Sequence, residues 1–265
     1  MDILKRELSP IPAPAWAEID AQARKAVTAH LSARRFVDLS GPHGWEFAAL
    51  PLGRLEVPEN QKREGVRWGI HAVLRLVEAR VSFELNRWEL DNVVRGARDL
   101  NFAPLDAAAK QIAQFEETLV YHGWPAAGVV GLADAAAKNA VALDRTDEGT
   151  VLTSLGTAVR RMQDAAVEGP YSLVAGPKFW NQIQSMGTYP LENRIAALTG
   201  GEMVVLPGAE EAYLVSARGG DLELVVGQDL AVGFEAATEE KVRLFFTESL
   251  TFRVINADAV VPMPL

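Results

Sequence analysis

The spacing of apolar positions changes several times along the chain, and each spacing predicts a different element. In the first segment the apolar residues recur every three or four positions, at Trp16, Ile19, Ala23, Val27 and Leu31. This is the period of an amphipathic helix, and we expect one over 15–33. Pro14 suits its first turn, because the amide that proline lacks has no partner there. A short extended run at 36–39 follows and stops at Gly41 and Pro42.

The segment 45–85 reads as two long strand-like pieces around a polar tip at 59–65. In the returning piece every second residue from Ala79 to Leu85 is apolar, which is typical of a half-buried strand. A long two-stranded arm is poorly stable in water by itself. We therefore expect this arm to pack against something else, for example another subunit.

The rest of the chain predicts a mixture of helices and strands. Helices are expected at 104–122, ending at Gly123, and at 148–167. A compact α/β unit follows, and then a hairpin of 212–216 and 222–226 around the glycine turn 218–221. The last long strand alternates at its apolar positions, interrupted by one acidic residue. Those positions are Val242, Leu244, Phe246, Leu250, Phe252 and Val254, with Glu248 between them. The fold class is therefore α+β.

Composition narrows the classes of protein. The chain has 265 residues, 49% of them apolar and 23% charged, which suits one large domain or two interleaved ones with a packed core. There is no cysteine, which removes disulfides, thiolate metal sites and cysteine nucleophiles and fits a reducing cytoplasm. No apolar stretch is long enough to span a membrane, and the N-terminus is charged where a signal peptide is apolar. The net charge of −9 disfavours a general nucleic-acid binder.

The sequence motifs predict no catalytic residue and no metal site. The four histidines, His30, His43, His71 and His122, form no close ligand pair. The sequence around Ser154 comes nearest to a nucleophile-elbow motif, but the first glycine of the motif is missing and Ser154 lies inside a predicted helix. Three adjacent carboxylate pairs are expected on the solvated surface: Glu116–Glu117, Glu210–Glu211 and Glu239–Glu240. Trp88 lies among charged residues and stays open as a residue that stacks on a planar ligand. These observations favour assembly over catalysis.

Nine short runs, in order from the first residue to the last, resemble the encapsulins, which are bacterial and archaeal shell proteins formerly described as linocin-type bacteriocins. The runs are MDILKREL (1–8), AEID (17–20), FVD (36–38), GPHGWE (41–46), WELDN (88–92), EGPY (168–171), YPLE (189–192), RGGD (218–221) and GQDL (227–230). Each run is weak by itself, but nine in register over the whole chain are specific. The resemblance is to the family 1 encapsulins.

The resemblance implies the Hong Kong 97 fold of phage major capsid proteins, with four parts. An N-terminal arm and a lumenal helix (1–47) lead into a peripheral domain. The arm at 48–76 matches the extension loop, which reaches over a neighbouring subunit. The peripheral domain comprises 77–133 and 225–265, and the axial domain comprises 134–224.

The implied function is to enclose cargo enzymes that carry a C-terminal targeting peptide, commonly dye-decolourising peroxidases or ferritin-like iron oxidases. Oxidative-stress defence or iron storage would follow from the cargo. The family places the peptide groove between the first helix and the peripheral domain. The matching positions are Val27, Leu31, Arg34 and Asp38, with Leu230 and Val232 opposite. Core closure of the first helix is the alternative role for these residues.

Two further sites follow from the resemblance. A pore loop at the five-fold axis matches Gln184, Ser185, Met186, Gly187, Thr188 and Tyr189, and it contains no charge. Trp88, with Arg80, matches a position where some members bind a flavin. No cofactor is required for the shell itself.

The closed icosahedral shell with the fewest chains has sixty, and the chain length near the compact end of the family favours that shell. Its acidic charge makes it a poor container for nucleic acid. Two alternatives stay open: a phage or prophage capsid protein, and a bacteriocin-type peptidase or esterase. The first would be encoded beside portal and terminase genes, and the second requires a nucleophile and base that the sequence does not offer.

Overall fold

The computed structural model describes residues 3–59, 65–186 and 190–264. Its α-helices within these ranges are Ala13–Thr28 (α1), Arg87–Val94 (α2), Ala103–His122 (α3), Leu132–Ala135 (α4), Glu148–Asp164 (α5), Pro177–Ser185 (α6) and Leu191–Thr199 (α7). Short 3-10 turns include Arg6–Leu8 and Ala33–Arg35. The helix expected at 104–122 is confirmed, and Gly123 ends it with a φ of 79°.

The strands of the described residues fall into two larger sheets and two short pairs. They are Asp38–Ser40 (β1), Ala49–Glu56 (β2), Ile70–Arg75 (β3), Val77–Asn86 (β4), Gly123–Trp124 (β5), Val129–Val130 (β6), Tyr171–Ala175 (β7), Gly200–Val205 (β8), Ala212–Ser216 (β9), Leu222–Val226 (β10), Ala231–Ala237 (β11), Lys241–Val254 (β12) and Val260–Pro262 (β13).

The long strand β12 organises the first sheet. Its first half pairs with β11 and its second half with β10 along one edge, while β4 pairs with it antiparallel along the other edge. β1 lies parallel to β10 at the end of the sheet. Val242, Leu244, Phe246, Leu250 and Phe252 of the predicted apolar face are all buried. From Leu244 to Phe252 the residues between them are buried as well, so burial alternates only at the start of β12. Glu248, the interruption in the pattern, is buried with them.

The second sheet has the order β13-β9-β7-β8. The hairpin expected at 212–226 is wrong, because β9 pairs with β7 and β13 in this sheet whereas β10 pairs with β12 in the first. Nearly every residue of both strands is buried, so their pattern carried no information about which sheet each strand joins. The glycine turn between them crosses from one sheet to the other. β13 brings the end of the chain into the second sheet, while the predicted domain boundaries stay a prediction.

The first helix is shorter than expected. It ends at Thr28, and the chain turns through His30 before the 3-10 turn Ala33–Arg35 begins. The reason is tertiary: the buried Glu117 side chain accepts hydrogen bonds from the amides of Ser32 and Ala33, which a continuous helix would have paired with its own carbonyls. α1 then packs its apolar face on α3 and on the first sheet.

The two-stranded arm is present as β2 and β3, which pair antiparallel. The returning piece does not continue to residue 85 as one arm strand, because β4 begins after Leu76 and joins the first sheet. Along the arm, large apolar side chains face solvent in the single chain: Leu55, Val57, Val66, Trp68, Ile70 and Val73. Most of the predicted polar tip, residues 60–64, lies outside the described residues.

Candidate functional site: a groove beside the first helix

A cavity of about 1280 Å³ lies between α1 and the turn that leads into β11. Five of the six residues predicted for peptide binding line it, which are Val27, Leu31, Arg34, Leu230 and Val232. Val27 and Val232 are buried at its base, while Leu31 and Leu230 are half-buried on its walls. Phe246 of β12 adds an aromatic ring to the lining. The arrangement offers apolar surface that a peptide's apolar side chains would cover.

Asp38, the sixth predicted residue, does not line the cavity. It begins β1 and is exposed, and its carboxylate accepts a hydrogen bond from the amide of Gly220 at 2.6 Å. Gly220 has a φ of 82° in the turn that crosses between the sheets. In the single chain Asp38 therefore holds that turn, and a contact between Asp38 and a bound peptide stays a prediction.

The N-terminal segment closes one end of the groove, a contribution that sequence reasoning missed. The Arg6 guanidinium donates to the carbonyl of Val232 at 2.7 Å and forms an ion pair with Asp20 at 2.5 Å. It also lies 4.3 Å from the ring centroid of Trp16. The amide of Phe234 donates to the carbonyl of Leu4, so the segment covers part of the edge of β11. Edge strands of a sheet commonly need such a cover, and this general rule is what could have predicted a role for the N-terminal segment.

The groove is also bordered by a dense charge cluster around Arg34. Its guanidinium donates to Glu116 at 2.6 and 2.8 Å and to Glu248 at 2.7 Å, and it contacts Asp229 at 2.9 Å. Burial lowers the pKa of Arg34, but hydrogen bonding to Glu116 and the charges of the three carboxylates outweigh that effect and raise it. Burial, and next the charge of Glu116, raises the pKa of Glu248 well above its ordinary value. Arg34 is thus occupied by this chain's own carboxylates.

The expectation that Glu116 and Glu117 are solvated is wrong. Both side chains are buried, Glu116 against Arg34 and Glu117 against Ser32. Tyr121 completes the second group, since its hydroxyl lies 2.8 Å from that of Ser32. Burial raises the pKa of Glu117, although its hydrogen bonds with Ser32 and Ala33 act in the opposite direction. Adjacent helical residues point in different directions, and here each direction meets a separate polar partner.

The far wall of the groove comes from the unit that contains the second sheet. Pro177, Val205 and Pro207 line this wall, and Val205 belongs to the edge strand β8. Arg35 pairs with Glu202 of β8 at 2.7 Å and so joins the two sides. The groove is therefore bounded by both sheets and not only by the helix and the peripheral domain.

The two residues named for a flavin do not contact each other in any described interaction. Trp88 is 66% exposed on α2, and the guanidinium over its ring, at 5.7 Å, is that of Arg95. Arg80 on β4 lies 4.2 Å from the ring centroid of Phe245 and pairs with Glu78. Arg95 is thus the cation beside Trp88, and flavin binding stays a prediction.

The pore-loop prediction falls partly outside the described residues, because Gly187, Thr188 and Tyr189 are among those not described. Gln184 and Ser185 form the end of α6, and Met186 caps it. The Gln184 side chain donates to Glu192 at 3.3 Å, so Glu192 lies next to the start of the loop. Ser185 donates to the carbonyl of Gln182.

Ser154 has a structural contact, since its hydroxyl accepts the amide of Asp144 at 3.1 Å from inside α5. Among the described residues, no group of three or more histidine or acidic side chains is arranged to hold a metal ion. None of the helices in the described ranges is long and apolar enough to cross a membrane.

Comparisons with known proteins give a consistent result. Residues 1–251 match the model of a family described as "encapsulating protein for peroxidase". The chain is 39% identical to the type 1 encapsulin shell protein of Rhodospirillum rubrum over 99% of this chain and 96% of that protein. It is 36% identical to the type 1 encapsulin shell protein of Rhodococcus erythropolis, covering 99% of this chain and all of that one.

Solved structures support the fold. A virus-like particle from Pyrococcus furiosus matches with a TM-score of 0.66 at 15% identity, over 93% of this chain and 98% of that chain. The capsid of an empty GTA particle matches with a TM-score of 0.55 at 14% identity, over 89% and 90% of the two chains. At such identities the likeness concerns the fold alone, and it confirms the predicted phage-capsid fold.

Proposed function

Because the chain belongs to the encapsulin shell proteins, which form capsid-like shells and are not an enzyme family, we propose that its shell encloses cargo enzymes recruited by a C-terminal targeting peptide. The cargo is a dye-decolourising peroxidase or a ferritin-like protein, and the compartment serves oxidative-stress defence or iron storage in the cytoplasm. The description of the matching family, an encapsulating protein for peroxidase, favours the peroxidase.

The single observation that carries the proposal is the groove beside α1. An extended peptide would bury its apolar side chains against Val27, Leu31, Leu230 and Val232, which contributes about 25 cal/mol for each Å² removed from water. Ordering a flexible tail opposes this gain, so the affinity of one site is modest. Many copies of the site facing one lumen compensate, because cargo oligomers would engage several grooves at once.

Sixty copies of the 28.8 kDa chain would give a shell of about 1,730 kDa. The exposed apolar side chains of the β2–β3 arm supply a surface that a neighbouring copy would cover. Light scattering together with electron microscopy of the purified protein tests the copy number. Uniform hollow particles near this mass support sixty copies, and larger uniform particles indicate a different triangulation.

Co-expression tests cargo recruitment. A peroxidase or ferritin-like protein encoded beside the shell gene is produced with the shell, with and without its last thirty or so residues. We expect the full-length enzyme to co-sediment with intact shells and the truncated enzyme to stay outside. Equal loading of both forms would contradict a C-terminal targeting peptide.

Variants then test the groove itself. Leu230→Asp places a charge on the apolar wall and is expected to lower loading at least tenfold while shells still form. Val130→Asp is the matched control, since Val130 is 54% exposed and does not line the groove. Unchanged loading of L230D shells would place the cargo site elsewhere.

A further inference from the structure

In the part of the chain that the structure describes, the charge cluster beside the groove brings three carboxylates to one cation, Arg34. Arg34 comes from the 3-10 turn Ala33–Arg35, Glu116 from α3, Glu248 from β12 and Asp229 from the turn before β11. The side chains of Glu116 and Glu248 are fully buried, and that of Asp229 is 39% exposed. With all three ionised, the site would carry two uncompensated negative charges. Burial makes such an arrangement costly, and retaining a proton on one carboxyl relieves it.

The hydrogen bonds indicate which carboxyl holds the proton. Both oxygens of Glu116 accept from Arg34, so a proton there would displace an existing bond. Glu248 uses Oε1 to accept from Arg34, whereas its Oε2 is buried without a partner among the described residues. A proton on Oε2 of Glu248 therefore costs no existing hydrogen bond. The direction of the pKa of Glu248, raised by burial and by the charge of Glu116, agrees with this assignment.

The protonation state of Glu248 is connected to the groove by contacts of Arg34 and Asp229. The same oxygen of Asp229, Oδ1, contacts Arg34 at 2.9 Å and accepts the amide of Leu230 at 2.8 Å. Beside it, the amide of Gln228 donates to the hydroxyl of Ser249, the residue that follows Glu248. Arg34 thus holds the carboxylate that fixes the backbone at Leu230, one of the apolar walls.

We propose that Glu248, in its protonated form, is a positioning residue for the groove: as a neutral acceptor it shares Arg34 with Glu116 and Asp229, and Asp229 then fixes Leu230. The role in cargo binding rests on the proposed function, whereas the coupling from Glu248 to Leu230 does not. The charged groups that face Glu248 are Arg34, Glu116 and Asp229, and its strand partner on β4 is Ala79. When Glu248 ionises as the pH rises, its added charge beside Nη2 of Arg34 draws the guanidinium away from Asp229, which contacts Nη1, and the turn at Leu230 loosens.

Hydrogen exchange on cargo-free, intact shells tests this coupling. Wild type and E248Q are compared at each of several pH values, so that the intrinsic pH dependence of exchange cancels. We expect the protection of the 228–232 amides in wild type to fall about tenfold relative to E248Q as Glu248 ionises, and to be equal before that point. E223Q is the matched control, because Glu223 is a partly buried partner of Arg253 in the same sheet; its profile should follow that of wild type.

Infrared spectroscopy of the same shells looks for the proton directly. Wild type should show the band of buried protonated carboxyls, and E248Q should lose the part that belongs to Glu248, while the part that belongs to Glu117, another buried carboxyl with a raised pKa, is unaffected. Should E248Q fail to assemble, E116Q serves instead, because removing the neighbouring charge lets Glu248 ionise beside Arg34 and the same part of the band is lost. An identical band in wild type and variant, or parallel exchange profiles of wild type and variant at all pH values, would overturn the proposal. A positive result with no peptide-dependent loading would instead refute only the cargo function of the groove.

Discussion

Glu117 and Ser32, 85 residues apart, form a closed polar contact inside the protein: the Glu117 carboxylate accepts both the amide and the hydroxyl of Ser32. This contact ends the first helix and starts the turn that carries Arg34 to the groove. A buried carboxylate with three donors contributes to stability mainly because leaving any of those groups unpaired is costly.

The Ser32 hydroxyl can be removed without changing the backbone. Ser32→Ala leaves one Glu117 oxygen and the Tyr121 hydroxyl without this partner, and we expect a loss of about 1–3 kcal/mol in the free energy of unfolding. Chemical denaturation measures it. Ser185→Ala removes an exposed hydroxyl that donates to the carbonyl of Gln182 and should change little. An equal loss of unfolding free energy in both variants would contradict a larger contribution of the buried contact to stability.

Stability should depend on pH through Glu117. Its pKa is raised in the folded protein by burial, from an ordinary value of 4.5. Its contribution is therefore fully present below pH 4.5 and is lost as the pH rises through the folded pKa, with a slope of about 1.4 kcal/mol per pH unit for one retained proton. Glu117→Gln should flatten this slope in denaturation measured across pH, whereas the exposed Glu239→Gln should keep it. If the pH dependence of the free energy of unfolding is unchanged in E117Q, other titrating groups cause it.

Arg6 should anchor the N-terminal segment that closes the groove. Arg6→Ala removes the donor to Val232 and the partner of Asp20, so the segment should detach more often from the edge of β11. We expect at least severalfold faster exchange of the Phe234 amide, which donates to Leu4. Lys5→Ala changes the exposed neighbour and is the control. Unaltered exchange in R6A would mean that the backbone contact holds the segment unaided.

Substitution of Gly123 should show how strongly the backbone conformation at the end of α3 depends on glycine. Its φ is 79°, and a Cβ there would lie 2.5 Å from the carbonyl oxygen of Val129, so Gly123→Ala meets both backbone strain and a clash. We expect destabilisation of about 3 kcal/mol or more. Gly128→Ala has nearly the same φ, 78°, with open space around the new methyl group, and should cost only about 1 kcal/mol. Thermal unfolding of the two variants separates the clash from the strain.

The arm should matter for assembly and not for the fold of one subunit. Ile70, on β3, is 57% exposed in the single chain. Ile70→Asp is expected to prevent or weaken shell formation because a neighbouring copy would have to bury the charge. Ile255→Asp is the matched control, because Ile255 is 54% exposed and lies outside the arm. Light scattering reads the assembly state and circular dichroism the fold; normal shells from I70D would contradict an arm that is buried against a neighbour.

The sequence by itself determined the elements whose burial follows their own period. The helix Ala103–His122, the existence of the strand Lys241–Val254 and the two-stranded arm were predictable, because the spacing of apolar side chains within one element indicates its type. The family resemblance named six groove residues, five of which line one cavity, and their role in peptide binding stays a prediction.

Tertiary structure decided which strands share a sheet and where the buried charges lie. Strands 212–216 and 222–226 are buried at nearly every residue, so only the layers around them assign them to different sheets. Glu116 and Glu248 are buried because Arg34 reaches them from positions 82 and 214 residues away along the chain. A local pattern places a carboxylate on the surface by default, since burial of a charge is favourable only where a distant partner neutralises it. That partner exists only in the folded chain.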